Sequence, residues 1–465
     1  MKHDAYGYWL EEAPAVEVAP ELVGERDADV VVVGGGYTGM WAAWHIKKLE
    51  PEASVVLLEA DRCGFGPSGR NGGFCNAMWF SLPNMRGRWG NEGALAVARA
   101  AEAAATGIGE FCASEDVDAW FTPGGYLQVS TAEAHDRVWS DVLVACQELG
   151  VGDAIQALSP EQVAERCASP VFRGGAFYPD AATVQPARLA LGLRERLRRQ
   201  GVEVCEGSPV RRLAGLADGV EARTDGGIVR ARAAVLAVGS AAAAPHGPLR
   251  NRLTVASSHI VLTEPVPKLL EEVGWTAGEC ITDSRALIDY FRTTPDGRIA
   301  FGWGGGRIAM GARLHGRTEL DPEVASLAAA NLRDYFPGLK GRALTHAWGG
   351  PIDASPTHLP LVLPLRGARA FAAAGYTGNG VGPSHMVGRT LASLALDRRD
   401  DPSRLAYVDP SPPRVPREPF SWIGGEAIRA GIMRKESAER QGDAPGLLSS
   451  LVSRIPSLIG FHIGR

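Results

Sequence analysis

Three glycines in the spacing Gly34-x-Gly36-x-x-Gly39 are the first residues of the chain whose type and position can do chemistry. The first permits a tight turn, the second lets a backbone approach a pyrophosphate, and the third lets a helix pack closely on a strand. Unpaired N–H groups at the start of the following helix then face the phosphates. Glu59 stands twenty residues beyond Gly39, where a carboxylate accepts ribose hydroxyls and repels a 2′-phosphate. The pattern points to an ADP-containing dinucleotide other than NADP. On its own it would also describe a structural turn.

A second group follows at 64–73, where five glycines in ten positions are too many for any regular element. Successive backbone N–H groups in such a loop can form an anion-binding concavity, to which Arg70 adds charge. Taken alone this is a flexible loop. Coupled to the first motif it reads as a second wall around the same ligand.

The elements that must position these residues are legible. Residues 28–34 hold four consecutive valines and read as a fully buried strand. Residues 37–50 look helical and end before Pro51, and 54–59 form a second buried strand. Strand, turn, helix and strand in this order make a right-handed parallel βαβ unit, the context that turns the glycine spacing into a binding motif. Helices are expected at 91–115 and 133–149, and at 187–200, whose arginines read as a solvated outer face. Strands at 209–223 and 228–232 flank Asp225-Gly226-Gly227, a hairpin signature, and a buried strand at 233–238 ends on Gly239-Ser240. From 253 to 314 the texture is that of a mostly antiparallel sheet, followed by a helix at 322–335 and a strand and glycine-rich turn at 370–382. Six prolines between 402 and 419 mark a wrapping tail.

Composition narrows the class. With 465 residues, 45% hydrophobic and 22% charged, the chain is globular, and its glycines follow no collagen period. A net charge of −5 gives no global basic field for nucleic acid. Seven cysteines without a C-x-x-C fit neither a disulfide framework nor a zinc site, so no metal is expected and the thiols read as reduced in a cytoplasmic protein. No signal peptide is visible, and the run at 30–33 is too short to cross a bilayer. At the C-terminus Leu447, Leu448, Leu451, Val452, Ile455, Leu458 and Ile459 fall at helical spacing, interrupted by Pro456. They read as docking on the protein's own core or on a second copy in a homodimer rather than on a membrane.

The motifs occur together, and in order, in one known family. The chain resembles the D-amino-acid oxidase/glycine oxidase/sarcosine oxidase family of FAD-dependent amine oxidoreductases, in particular its gamma-glutamylputrescine oxidase-like members. The resemblance rests on Tyr8-Trp9-Leu10-Glu11, Gly34-Gly35-Gly36-Tyr37-Thr38-Gly39, Leu57-Leu58-Glu59-Ala60 and Ser68-Gly69-Arg70-Asn71-Gly72-Gly73. It continues through Val184-Gln185-Pro186, Ala237-Val238-Gly239-Ser240, Tyr290-Phe291-Arg292, Trp348-Gly349-Gly350 and Gly375-Tyr376-Thr377-Gly378-Asn379-Gly380-Val381. It implies an α/β fold with a Rossmann-type FAD-binding domain (28–100, 183–252 and 346–398), whose parallel sheet carries a β-meander. It implies also an α+β substrate domain (101–182 and 253–345) with a mostly antiparallel sheet, and a tail with helices over 399–465. The implied cofactor residues are Gly34, Gly36, Tyr37, Thr38, Gly39, Glu59, Ala60, the six residues 68–73, Val210, Gly239, Gly378, Asn379, Gly380 and Val381. Asn379 stands where many relatives carry histidine. No cysteine follows Cys280 and no histidine lies in the 68–73 loop, so the FAD is expected to be non-covalent.

The implied activity is oxidation of a small amine by hydride transfer from the carbon beside nitrogen. Its product is an imine that hydrolyses to an aldehyde or keto compound, with dioxygen or another acceptor reoxidising the cofactor. Such chemistry needs orienting groups more than a general base. Tyr290 is a candidate to hydrogen-bond the substrate, although a half-buried sheet aromatic is an equally ordinary reading. Arg292, two residues on and on the same strand face, is a candidate to pair with a carboxylate, or else a surface cation. Trp348 is a candidate aromatic wall for an ammonium group or a core residue, and His259 is more simply a satisfied strand histidine. Two other readings stand beside this one: a flavoprotein hydroxylase fed by NAD(P)H, and a non-catalytic FAD-binding subunit of a larger dehydrogenase. No hydrolase, nucleotide triphosphatase or metalloenzyme pattern is present.

Overall fold

In the computed structural model, residues 1–3 and 6–458 are described. The valine run forms the strand Gly24–Val33, whose Val30, Val31, Val32 and Val33 are buried, as a strand covered on both faces requires. The helix Tyr37–Leu49 follows, and the strand Val55–Leu58 returns parallel to the first, pairing Val30 with Val55 and Val33 with Leu58. A Cβ on Gly39 would overlap the carbonyl oxygen of Gly34, so only glycine lets this helix lie against this strand. Glu203–Cys205 extends the sheet on one side and Gly227–Leu236 on the other. The last belongs to a meander with Arg212–Leu216 and Gly219–Arg223, and Ala370–Ala374 pairs beside it in parallel. The helix Val381–Ala395 packs on Tyr37–Leu49, with a Cβ on Gly388 falling 2.6 Å from that of Trp41.

A second, nine-stranded sheet carries the other half of the molecule. At its centre Thr254–Thr263 pairs antiparallel with Leu344–Ala354 and with Ile299–Trp303, and the latter with Asp289–Thr293. Two junctions are parallel, between Cys280–Asp283 and Tyr126–Ser130 and, at the edge, between Lys2–His3 and Leu344–Ala354. Phe291, Phe301, Trp275 and Phe336 stack beneath the sheet, covered by the helix Pro322–Tyr335, which Asp321 caps through the Glu323 N–H.

Three expectations shift. The helix over 91–115 is one long element, Leu82–Ser114, with a non-helical Gly90 inside it, and that over 133–149 shortens to Ser140–Glu148. The arginine-rich helix, Pro186–Arg199, is not solvated along its whole basic row. Arg194 is fully buried, its Nε 2.9 Å from a Glu206 carboxylate that also accepts the Ala19 and Cys63 N–H groups. The ion pair and those added donors offset desolvation of the two charges.

The tail holds the helices Phe420–Arg440 and Leu447–Leu458, which lie against each other where Val452 meets Gly431. The first helix is fastened to loops beside the second sheet and to the helix that covers it: Glu426 accepts from the Ile308 N–H at 2.7 Å, Glu436 from the Leu287 N–H at 3.0 Å, and Arg440 pairs with Asp334. On the second helix Leu447, Leu448, Leu451 and Ile455 stay exposed, so the contact of this run with the protein's own fold is made at Val452 and not at these residues. Ile459 and the Leu458 side chain lie outside the described residues. Among the described residues no helix is long and apolar enough to cross a membrane.

Candidate active site

A cavity of about 1140 Å³ runs between the two sheets. It opens at the carboxyl ends of the parallel strands, where Val33, Leu58 and Leu236 give way to turns, the usual position of a ligand in such a sheet. Gly34 has φ +108 and turns the chain so that Gly36 caps the helix Tyr37–Leu49 without a side-chain partner. Ser68, across the cavity mouth, accepts from the Tyr37 N–H at 2.9 Å. Glu59 accepts from the Gly35 N–H at 2.6 Å and from the Asp61 N–H at 3.0 Å. Burial nevertheless raises its pKa, the largest of the influences on it. Ala60, Val210 and Gly239 complete this end.

The 68–73 loop forms the next wall, with Ser68, Arg70, Asn71 and Gly72 on the cavity. Gly69 and Gly73 are turned away, where a Cβ would overlap the Gly64 and Val184 carbonyl oxygens. These two, with Gly39, permit close backbone packing instead of lining the cavity. Opposite lie Gly378, Asn379, Gly380 and Val381 at the start of the helix Val381–Ala395, a second helix N-terminus on the same space. Thr38, also on the cavity, shares a 2.7 Å hydrogen bond with the Tyr376 hydroxyl.

These features fit FAD. Two helix N-termini and a loop of backbone donors suit a diphosphate, Glu59 suits the ribose hydroxyls, and a long cavity suits an extended dinucleotide. Among the described residues, a Cβ on Gly66 or Gly350 would meet no atom within 4 Å although both line the cavity, which leaves that space to a ligand. Asp353, also on the cavity, was not singled out from the sequence; it accepts from the Gly375 N–H at 2.8 Å, and burial pushes its pKa up to about 6.

The four candidate substrate residues part company. Tyr290 lines the cavity, its ring wedged between Gly72 and Gly302 and its hydroxyl 2.7 Å from Ser258 Oγ. Ser258 in turn donates to the Trp303 carbonyl at 2.9 Å, so the tyrosine is the donor of the pair. Burial pushes the Tyr290 phenol up to about 12. Arg292 shares its strand face but sits behind the loop, donating to the Val184 and Thr293 carbonyls, with its guanidinium 5.6 Å from the Trp9 ring. Burial draws its pKa down to about 10. Trp348 is fully buried, edge-on to Trp9, and donates to the Arg70 carbonyl at 2.8 Å, while Trp9 donates to that of Asn71 at 2.9 Å. Arg292 and Trp348 thus brace the loop from behind, on the side away from the cavity. His259 is buried with Nε2 accepting from the Asp321 N–H at 2.7 Å, and burial lowers its pKa to about 4.

The far end of the cavity holds residues the sequence did not mark: Ser258, Ile288 and Ile308, and from the tail Gly424, Ile428 and Arg429. The signal available for the last was a Glu426/Arg429 pair one helical turn apart, which says nothing of what the turn covers.

Comparison with known proteins bears on what fills this cavity. Residues 29–394 match the family described as FAD dependent oxidoreductase (DAO). The chain is similar to gamma-glutamylputrescine oxidoreductase of Escherichia coli strain K12, 28% identical over 408 residues, covering 85% of this chain and 91% of that one. It is 26% identical over 442 residues to a probable oxidoreductase, OrdL, of Rhizobium meliloti, covering 92% and 95%. Among solved structures, glycine oxidase from Geobacillus kaustophilus has the same fold, with a TM-score of 0.67 at 19% identity, covering 81% of this chain and 96% of that one.

Proposed function

Because the chain belongs to the FAD dependent oxidoreductase family, we propose that it oxidises a primary or secondary amine at the carbon beside nitrogen. The observation that carries this reading is the continuity of the cavity, from a cradle fit for FAD to a far end walled by Tyr290, Ile288 and Ile308. The similarity to a gamma-glutamylputrescine oxidoreductase supports the same substrate class.

Bound FAD supplies the acceptor for a hydride. The chain's own task is to bring an amine to it in neutral form, hold it and keep water away. Apolar walls disfavour an ammonium ion and so release the nitrogen's proton to solvent before the carbon gives up hydride. Tyr290, pinned on both ring faces, fixes one side of the site, and its phenol stays protonated at neutral pH, a donor and not a base. The Phe420–Arg440 helix closes the outer side against water. The imine product, once released, hydrolyses to the aldehyde or keto compound. The seven buried thiols, none of them in a disulfide, support a reducing cytoplasm as the place of action.

An anaerobic screen of amines and amino acids against the FAD-loaded protein tests the reading. Loss of the visible flavin absorbance with an amine, and not with NADPH, is expected. Bleaching by NADPH alone would make the protein a hydroxylase, and bleaching by neither would leave it an FAD-binding subunit. Reoxidation of the bleached protein by air, with peroxide formed, then identifies dioxygen as acceptor.

A further inference from the structure

We propose that the helix Phe420–Arg440 is the specificity wall of the cavity, and that Arg429 on it anchors a carboxylate carried by the substrate away from its reacting nitrogen. The proposal rests on the amine-oxidising reading and names what that reading leaves open, the rest of the substrate.

The helix lies beyond residue 394, where the family match ends. Its inner face borders the cavity with Gly424, Ile428 and Arg429. Arg429 is held in place: its Nε donates to the Gly305 carbonyl at 2.8 Å and its side chain is only 13% exposed. Its Nη1 stands 3.6 Å from Glu426, too far for a hydrogen bond, and the Glu426 carboxylate is itself held by the Ile308 N–H at 2.7 Å. Among the described residues neither terminal nitrogen of Arg429 makes a hydrogen bond, so a fork of donors borders the cavity with its outer edge unused. A desolvated guanidinium in that condition is matched by a carboxylate, which takes two parallel N–H bonds.

Between this fork and Tyr290 the wall is apolar, formed by Ile288, Ile308 and Ile428. The Tyr290 ring packs on Gly302 and Arg429 binds Gly305, three residues further, so at most roughly 10 Å of chain separates them. A substrate that fills the space is an amine joined to a carboxylate by a short alkyl spacer.

Gly424 gives an independent sign that the wall faces a ligand. Glycine inside a helix is unfavourable relative to alanine, and here, among the described residues, no atom lies within 4 Å of where its Cβ would be. Nothing in the fold calls for a small residue at this point on the cavity.

The test uses the FAD-loaded protein and two probes of equal length, pentanoate and pentanol, followed by titration calorimetry. Arg429→Gln should weaken pentanoate binding roughly ten- to a hundred-fold and leave pentanol within about two-fold. In turnover, 5-aminopentanoate should show the loss in KM with kcat nearly unchanged, and pentylamine should show none. Gly424→Leu, whose Cβ meets no described atom within 4 Å, should weaken both probes and retain FAD. Equal loss of acid and alcohol in Arg429→Gln would mean a structural role and overturn the anchor. Wild-type protein that fails to bind pentanoate would overturn it too, and unaltered binding in Gly424→Leu would overturn the wall. Because calorimetry needs no turnover, an Arg429-dependent pentanoate site in a protein that no amine bleaches would sink the amine-oxidising reading and not the anchor.

Discussion

At the FAD end of the cavity the lining is rich in glycine, with Gly34, Gly35, Gly36, Gly64, Gly66 and Gly72, and much of it comes from one stretch of chain. At the far end it is side chain, gathered from Ser258, Tyr290, Ile308 and Arg429 on segments far apart in sequence. The two ends also differ in what stands behind them. The 68–73 loop is braced by three side chains that never reach the cavity, Trp9, Trp348 and Arg292, each donating to a carbonyl of the loop or of its neighbour Val184. The far wall is completed on its outer side by one tail helix, fastened through Glu426, Arg429 and Glu436. A ligand common to a whole family is met by main chain, which substitutions hardly alter. A ligand particular to this protein is met by side chains that can be exchanged one at a time.

The largest effect should come from a residue held tightest against backbone, with an added Cβ 2.0 Å from the Gly34 carbonyl oxygen. Gly39→Val pushes a branched side chain into the Gly34 carbonyl and separates helix from strand, a cost of ~3 kcal/mol or more. FAD content per mole of soluble protein, read from the visible spectrum, should fall to a small fraction of wild type. A folded, fully yellow Gly39→Val protein would break the comparison at its base.

A smaller loss is expected where the FAD end does use a side chain. Glu59→Ala removes charge-assisted hydrogen bonds of ~1.5–3 kcal/mol, so fluorescence titration of the apoprotein should show FAD affinity lower by roughly ten-fold or more. Unchanged affinity in the folded variant would mean that the ribose is held by backbone as well.

How far the molecule could be read in advance follows the same division. Gly34, Gly36 and Glu59 were legible because a short spacing places all three at the ends of two adjacent strands. The helix 322–335 was equally legible, as its apolar rows face one core. Arg292 and Trp348 carry the right chemistry for an amine site, yet burial puts them behind the loop, and alternation along a strand tells which face a residue takes without telling what covers that face. Tyr290 and Arg292 share a face of which only part borders the cavity. Arg429 could not be read at all: its position depends on where a proline-rich tail returns, and local patterns carry no such information.

The smallest effect concerns the fastening of the tail. Burial pushes the Glu436 carboxyl up to about 7, despite Arg285 and the Leu287 N–H that favour its charged form and with Asp283 acting against it. A carboxyl with a raised folded-state pKa contributes stability that is complete below its unfolded value and is lost as pH rises through about 7. Glu436→Gln keeps an acceptor for the Leu287 N–H and cannot ionise. Its melting temperature should equal that of wild type at pH 5 and exceed it by on the order of 2 °C at pH 8. A difference that shrinks with rising pH would contradict the sign.

The order of segments along the chain adds a dimension of time. Synthesis runs from the N-terminus, and domains generally fold in that order. The residues proposed to cradle FAD are all made by Val381, whereas the helix that carries Arg429 is not finished until Arg440. On the proposed assignment, cofactor loading and substrate discrimination are separable in time, and the newborn chain acquires its specificity wall last.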